Sequence, residues 1–232
     1  LAKEHNVKLV VDNTFSPMVL SPAIHGADVV IHSLTKFING TSDAVGGVTC
    51  GPKELVAGMM DVNAGSSMLL GPVLDGLRSA SMLKNLRSLH IRMKQHSRNA
   101  LYLAERFEQV GLKVYYPGLQ SHPQHELMKS LYNEDFGFGG MLMIDARSHE
   151  LSYRLMEHMQ NSNIGYLAVS LGFSKTLFSN PGGSTSSEFT EEEMKTMGLS
   201  DGLVRMSVGL DNDIERTYQK MLESFKAVGL LD

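Results

Sequence analysis

At 232 residues the chain has material for one large or two modest hydrophobic cores. Its 42% hydrophobic and 20% charged content is that of an ordinary globular protein, and a net charge of -4 with a pI near 6.1 argues against nucleic acid or an anionic membrane as principal partner. No apolar run approaches the length of a membrane span, and the single cysteine, Cys50, excludes an internal disulfide and suits a reducing compartment.

The chain opens Leu1-Ala2-Lys3-Glu4-His5, which reads as the last turns of a helix feeding a strand. That opening is expected of a piece of a longer protein, with any targeting segment out of view. Residues 7–12 and 27–33 predict two strands, each an apolar run closed by polar groups. Leu9, Val10 and Val11 lead into Asp12, and Val29, Val30 and Ile31 lead into His32 and Ser33. Continuous apolar runs belong to parallel sheets covered on both faces. Ser16-Pro17 and Ser21-Pro22 punctuate the connection between them. Residues 46–51 predict a short third strand, 53–60 a helix with Pro52 at its first turn, and 63–67 a linker.

From residue 73 to 110 the pattern predicts one long helical region. Leu83, Leu86, Leu89, Ile91, Met93, Leu101, Leu103 and Phe107 recur at helical spacing, as a core stripe does, and Gly111 terminates it. Strands are expected at 113–116, 139–145, 166–171 and 202–209, and an irregular loop at 117–123. Helices are expected from 146 to about 160, over 191–197 with Thr190 as cap, and over 214–228. A Gly/Ser/Thr loop covers 179–188. The pattern predicts an α/β portion over residues 1–110 and a small α+β domain over 111–232.

The chemistry concentrates in His32-Ser33-Leu34-Thr35-Lys36-Phe37 and in Val10-Val11-Asp12-Asn13-Thr14. Ligands of open α/β sheets sit beyond the carboxyl ends of the strands, where these groups fall. If the second strand continues, its period of two places Ser33 and Thr35 on one face. Two hydroxyls, a lysine and a neighbouring carboxylate suit an anionic, nitrogen-containing cofactor. Pyridoxal 5'-phosphate (PLP) matches: hydroxyls for its phosphate, lysine for a Schiff base, aspartate for the pyridinium nitrogen. The bland reading makes Lys36 a solvated strand end and Asp12 a turn residue.

Arg205, inside the alternating Leu203-Val204-Arg205-Met206-Ser207-Val208, is either a partnered structural charge or a bidentate carboxylate binder. Residues 182–187 lack the lysine and preceding strand of a phosphate loop. His122-Pro123-Gln124-His125 is rejected as a metal pair, because proline prevents a helical ligand face and no carboxylate or cysteine set completes the coordination.

Val11-Asp12-Asn13-Thr14-Phe15 and His32-Ser33-Leu34-Thr35-Lys36-Phe37, followed by Ser42-Asp43-Ala44-Val45-Gly46-Gly47-Val48-Thr49-Cys50-Gly51, closely resemble the Cys/Met-metabolism PLP enzymes. That family includes methionine γ-lyase, cystathionine γ-lyase and cystathionine γ-synthase. The resemblance runs from end to end, with further matches at 89–93, His96, Asn99-Ala100, 137–141 and 198–209. It implies the α/β, fold type I (aspartate aminotransferase-like) PLP fold: part of the large domain followed by the C-terminal domain. In the family the aspartate of V-D-N-T binds the pyridinium nitrogen. The lysine of S-x-T-K is the Schiff-base residue, and its serine and threonine hold the phosphate. These roles fall on Asp12, Lys36, Ser33 and Thr35.

The resemblance further implies that Arg205 grips the substrate α-carboxylate, with Ser170 of Ala168-Val169-Ser170-Leu171-Gly172 beside it. Thr185 falls in the family's S-x-T-H-S loop, which departs here because Ser186 replaces the usual histidine. Residues 65–72 form a longer segment, similar to plant-type methionine γ-lyases. The implied activity is γ-elimination of L-methionine to methanethiol, 2-oxobutanoate and ammonia. The alternatives are transsulfuration on cystathionine or an acylated homoserine, or a catalytically incomplete fragment serving only as an assembly partner. A cytoplasmic homo-oligomer, dimer or tetramer, acting on a sulfur amino acid is expected, without metal, nucleic acid or membrane. The family's N-terminal part, with a tyrosine that stacks on the cofactor ring, has no counterpart in these residues.

Overall fold

Two sheets, one of three strands and one of five, lie on either side of a long helix in the chain order. The computed structural model describes residues 1–182, 191–196 and 200–232. Strand β1 (Val10–Asp12) pairs in parallel with β2 (Val29–Ser33), which pairs antiparallel with β3 (Gly47–Cys50). Parallel pairing, with Asp12 opposite Ile31, brings the carboxyl ends of β1 and β2 to the same end of the sheet. The first strand is shorter and less buried than its apolar run predicts. Leu9 and Val10 are exposed, because no described element covers them. Residues 2–6 form turns rather than the end of a helix.

After β3 come α1 (Lys53–Met59) and α2 (Ser66–Leu70), the second beginning within the expected linker and running past it. The region expected as one long helix is two, α3 (Gly76–Leu86) and α4 (Leu89–Gln109). Asp75 starts α3 by accepting the Leu77 and Arg78 amides, both at 3.0 Å. Gly111, at φ +84°, ends the region as expected. The break at residues 87–88 resets which side faces the core. Met82, Leu89, Met93, Leu103 and Phe107 are buried, whereas Leu83, Leu86 and Ile91 of the predicted stripe are exposed.

The remaining elements are β4 (Val114–Tyr115), α5 (His125–Leu131), β5 (Met141–Asp145), α6 (His149–Asn161), β6 (Gly165–Leu167), β7 (Thr176–Ser179), α7 (Glu191–Thr196), β8 (Leu203–Ser207) and α8 (Ile214–Ala227). The second sheet has the order β4-β5-β8-β7-β6, antiparallel except for the parallel β6–β7 pair. Nothing in the local pattern marks α5 or β7. All four residues of β7 are buried, so it shows no alternation. The strand expected over 166–171 stops at Leu167, which frees Ser170 and Leu171 to turn toward the first sheet.

Strand β8 lies at the centre and is buried along its whole length. Val204, Met206 and Val208 pack with Phe107 of α4, Met159 of α6 and Phe225 of α8. Each fully buried phenylalanine there stabilises the fold by about 2–3 kcal/mol. Alternation then turns Arg205 and Ser207 to the opposite face. A smaller cluster joins Phe37, Ile38, Val19 and Leu171 to Leu89 and Met93, so α4 contributes to both cores. Among the described residues no helix is long and apolar enough to cross a membrane.

Candidate active site

Asp12 stands at the end of β1, exposed, where its Oδ1 accepts the Thr14 amide at 2.9 Å. The Thr14 hydroxyl, then its amide, hold the Asp12 carboxyl below the usual carboxylate range, so Asp12 is ionised at neutral pH. Thr14 Oγ1 also accepts the Ser33 amide at 2.7 Å, tying the end of β1 to the end of β2. Burial lowers the pKa of the adjacent His32 against the opposing pull of Asp12, which favours the uncharged ring.

Past Ser33 the chain does not remain a strand. Residues 34–38 wind into one π-type turn, within which Lys36 leaves helical geometry at φ -91°, ψ -132°. The strand face expected to carry Ser33 and Thr35 together is therefore not formed. The Thr35 hydroxyl turns to Gly46, accepting its amide at 3.1 Å, whereas no described residue hydrogen-bonds the Ser33 hydroxyl. Lys36 Nζ donates to Ser170 Oγ at 2.9 Å, across 134 residues of sequence. Burial, then the charge of Arg205, lowers the pKa of this amine.

Gly172 fixes the approach of the two segments. Its φ is +79°, and a Cβ there would lie 2.3 Å from the Phe37 nitrogen and 2.8 Å from the Lys36 carbonyl carbon. Only glycine lets this turn lie against the backbone of the lysine turn. The Gly172 amide donates to Ser207 Oγ at 2.8 Å. Ser207 is two residues beyond Arg205 on β8, so the Lys36 turn hangs from the same strand that presents the arginine.

Arg205 is 8% exposed, and among the described residues no carboxylate lies within ion-pair distance of its guanidinium. A buried guanidinium with no carboxylate partner among the described residues has the planar fork that pairs with a carboxylate at two points. Its cross-strand neighbour Ser179 has a buried hydroxyl with no hydrogen-bond partner among the described residues.

The strand ends and the Lys36 turn thus present an ionised carboxylate, hydroxyls, an amine of lowered pKa and a guanidinium that meets no carboxylate among the described residues. That donor set fits PLP, which presents a ring nitrogen, a phosphate and a carbonyl, and leaves the arginine for a carboxylate substrate. The structure places Asp12, Ser33 and Thr35 at or just beyond the carboxyl ends of β1 and β2, and sets the Lys36 amine on Ser170 within reach of the Arg205 charge. Thr185 lies outside the described residues. Sequence reasoning missed Thr14, Gly172, Ser179 and Ser207 as site residues. Gly172 and Ser207 stood inside the motifs AVSLG and LVRMSVG, but their contact is long-range and leaves no local signal.

The family model described as Cys/Met metabolism PLP-dependent enzyme matches residues 1–225. The chain is 46% identical to a methionine gamma-lyase of Arabidopsis thaliana, over 97% of this chain and 51% of that protein. A crystal structure of cystathionine gamma synthase from Xanthomonas oryzae pv. oryzae, in complex with aminoacrylate and cysteine, superposes with TM-score 0.86 at 32% identity, covering 99% of this chain and 58% of that one. A putative O-acetylhomoserine (thiol)-lyase from Campylobacter jejuni, bearing a pyridoxyl-lysine phosphate, gives TM-score 0.85 at 28% identity, over 97% and 60% of the two chains. The chain spans about half the length of the relatives it matches, and the PLP fold type expected from sequence is the one it shares with them.

Proposed function

This chain belongs to the Cys/Met-metabolism PLP-dependent enzymes, and we propose that the whole protein carrying it cleaves L-methionine by γ-elimination to methanethiol, 2-oxobutanoate and ammonia. The observation that carries this reading is the pair Lys36 and Arg205, an amine of lowered pKa that feels the charge of a buried guanidinium with no carboxylate partner among the described residues. An α-amino acid presents an amine beside a carboxylate: Arg205 matches the carboxylate, and the PLP carbonyl carbon that Lys36 would hold matches the amine.

Asp12 would hold the ring nitrogen of PLP, Ser33 and Thr35 its phosphate, and Lys36 its carbonyl carbon. When bound, PLP supplies an electron sink for the charge left at the substrate Cα. Lys36, with its proton affinity reduced by burial and by Arg205, is the base for the Cα proton and the acid that returns protons as the thiol leaves. The hydroxyl of Ser170 steadies that amine. Arg205 binds the carboxylate through its planar fork and so sets which Cα bond stands ready to break. Thr185 remains a substrate-site candidate on the family resemblance.

Transsulfuration on cystathionine or an acylated homoserine is the second reading, favoured by the likeness to a cystathionine gamma synthase. A cytoplasmic homo-oligomer, divided into domains near residue 110, completes the proposal. The test is to incubate the whole protein with PLP and L-methionine, assay methanethiol and 2-oxobutanoate, then reduce with borohydride and map the peptides. Thiol release and a pyridoxyl label on Lys36 are expected. A label on another lysine refutes the site, and cystathionine turnover without methionine turnover installs the second reading.

A further inference from the structure

Helix α4 carries, on one side, a polar stripe that the proposed chemistry does not use: Arg92, His96 and Asn99. Arg92 Nη1 donates to Phe37 O at 2.5 Å and Nη2 to Ile38 O at 2.8 Å, the two carbonyls directly after Lys36. Asn99 Nδ2 donates to Gly209 O at 2.9 Å and Asp211 O at 2.8 Å, just after the strand of Arg205. Between them His96, fully buried, makes a 2.6 Å hydrogen bond with Val208 O through Nδ1 and meets the Phe37 ring edge-on, centroids 5.1 Å apart. Because a carbonyl only accepts, Nδ1 carries the proton. Nε2 is buried with no partner among the described residues, so the ring is neutral.

One face of one helix therefore grips the backbone that follows the lysine and the backbone that follows the arginine. Arg92 and Asn99 are seven residues apart, a helical rise of roughly 10 Å. A helix does not stretch, so the separation of the two anchored segments is set by its pitch. We infer that Arg92, His96 and Asn99 are positioning residues that fix the spacing between Lys36 and Arg205, and through it the selection of substrates bearing an α-carboxylate. The inference rests on the proposed role of Arg205. It adds that a carboxylate is recognised only while the stripe holds the arginine at the correct distance from the amine-binding end.

The test is equilibrium binding by calorimetry to the whole PLP-loaded protein. The probes are L-norleucine, with a methylene in place of the methionine sulfur and hence no thiol to lose, and L-norleucinamide, the same molecule without the carboxylate charge. The variants are His96→Leu, the milder His96→Asn, which keeps a donor for Val208 O but loses the ring against Phe37, and Arg92→Lys. Melting temperatures show which variants are folded. The expected result is that folded variants lose at least tenfold in norleucine affinity but less than twofold for norleucinamide. A merely structural role would weaken both probes alike. Equal weakening, or an unchanged acid-to-amide ratio, overturns the inference while leaving Arg205 as the carboxylate binder. A native protein that binds the two probes equally refutes the reading of Arg205 itself, and the inference with it.

Discussion

Replacing Gly172 by alanine tests the contact that sets Lys36 against β8. The new Cβ would lie 2.3 Å from Phe37 N and 2.6 Å from Phe37 Cα, where ordinary contact begins at 3.4 Å. Both obstacles are backbone, so the lysine turn has to recede by about 1 Å. Placing an alanine at φ +79° costs about 1–2 kcal/mol in backbone strain, and overpacking adds about 1–3 kcal/mol. Together these lower the melting temperature by roughly 10 °C in a chain of this size. Displacement of a reacting group by about 1 Å costs on the order of a hundredfold in rate. Gly26→Ala is the control: at φ +100° it carries backbone strain, but nothing lies within 4 Å of its Cβ. Thermal unfolding and methanethiol release are measured on the whole protein with PLP. Both variants should melt lower, and only Gly172→Ala should lose turnover. A Gly172→Ala enzyme with kcat within twofold of native would refute the claim that this approach positions Lys36.

Arg205→Lys keeps a positive charge but loses the planar two-point fork. It should lower kcat/KM for methionine by about a hundredfold, roughly 3 kcal/mol of a charged hydrogen-bonded pair, with the PLP absorbance retained. Loss of PLP from that variant would show that the strand serves the cofactor instead. His96 gives a pH prediction. Burial holds its folded pKa at about 4 against 6.5 for the free side chain, so the unfolded state takes up the proton first as pH falls. Its contribution is complete above pH 6.5 and is lost between 6.5 and 4, about 3 kcal/mol in all. Urea unfolding at pH 7 and pH 4.5 should therefore show a steeper loss in the native protein than in His96→Asn. Parallel losses would mean that the imidazole is not the titrating group.

Legibility in the sequence followed the range of the interaction. Asp12 and Ser33 could be read as strand ends because an apolar run stops where a polar side chain begins, and that boundary is local. Arg205 and Ser207 could be assigned to a common face of their strand by alternation, whereas the burial of the guanidinium, with no carboxylate partner among the described residues, could not be read locally. Gly111 was legible as a helix stop because its backbone conformation is one glycine adopts without a Cβ penalty. The break between α3 and α4 was not legible, since Leu83, Leu86 and Ile91 continue the helical spacing. Their exposure depends on what packs outside the helix, and spacing does not record that. Strand β7 escaped for a related reason: buried on both faces, it has no alternation to see. Whether β2 would continue to Thr35 was left to tertiary contacts, and the chain turned instead because Phe37 and Ile38 enter a core beside α4 while Arg92 takes their carbonyls. What the sequence by itself determined was the set of chemical groups and the strand ends that carry them. Their meeting in one site, Lys36 on Ser170, Gly172 on Ser207 and His96 on Val208, joins positions more than thirty residues apart in each case. Only the folded chain decides such pairs, because their energy comes from packing and desolvation between segments rather than from any preference within one.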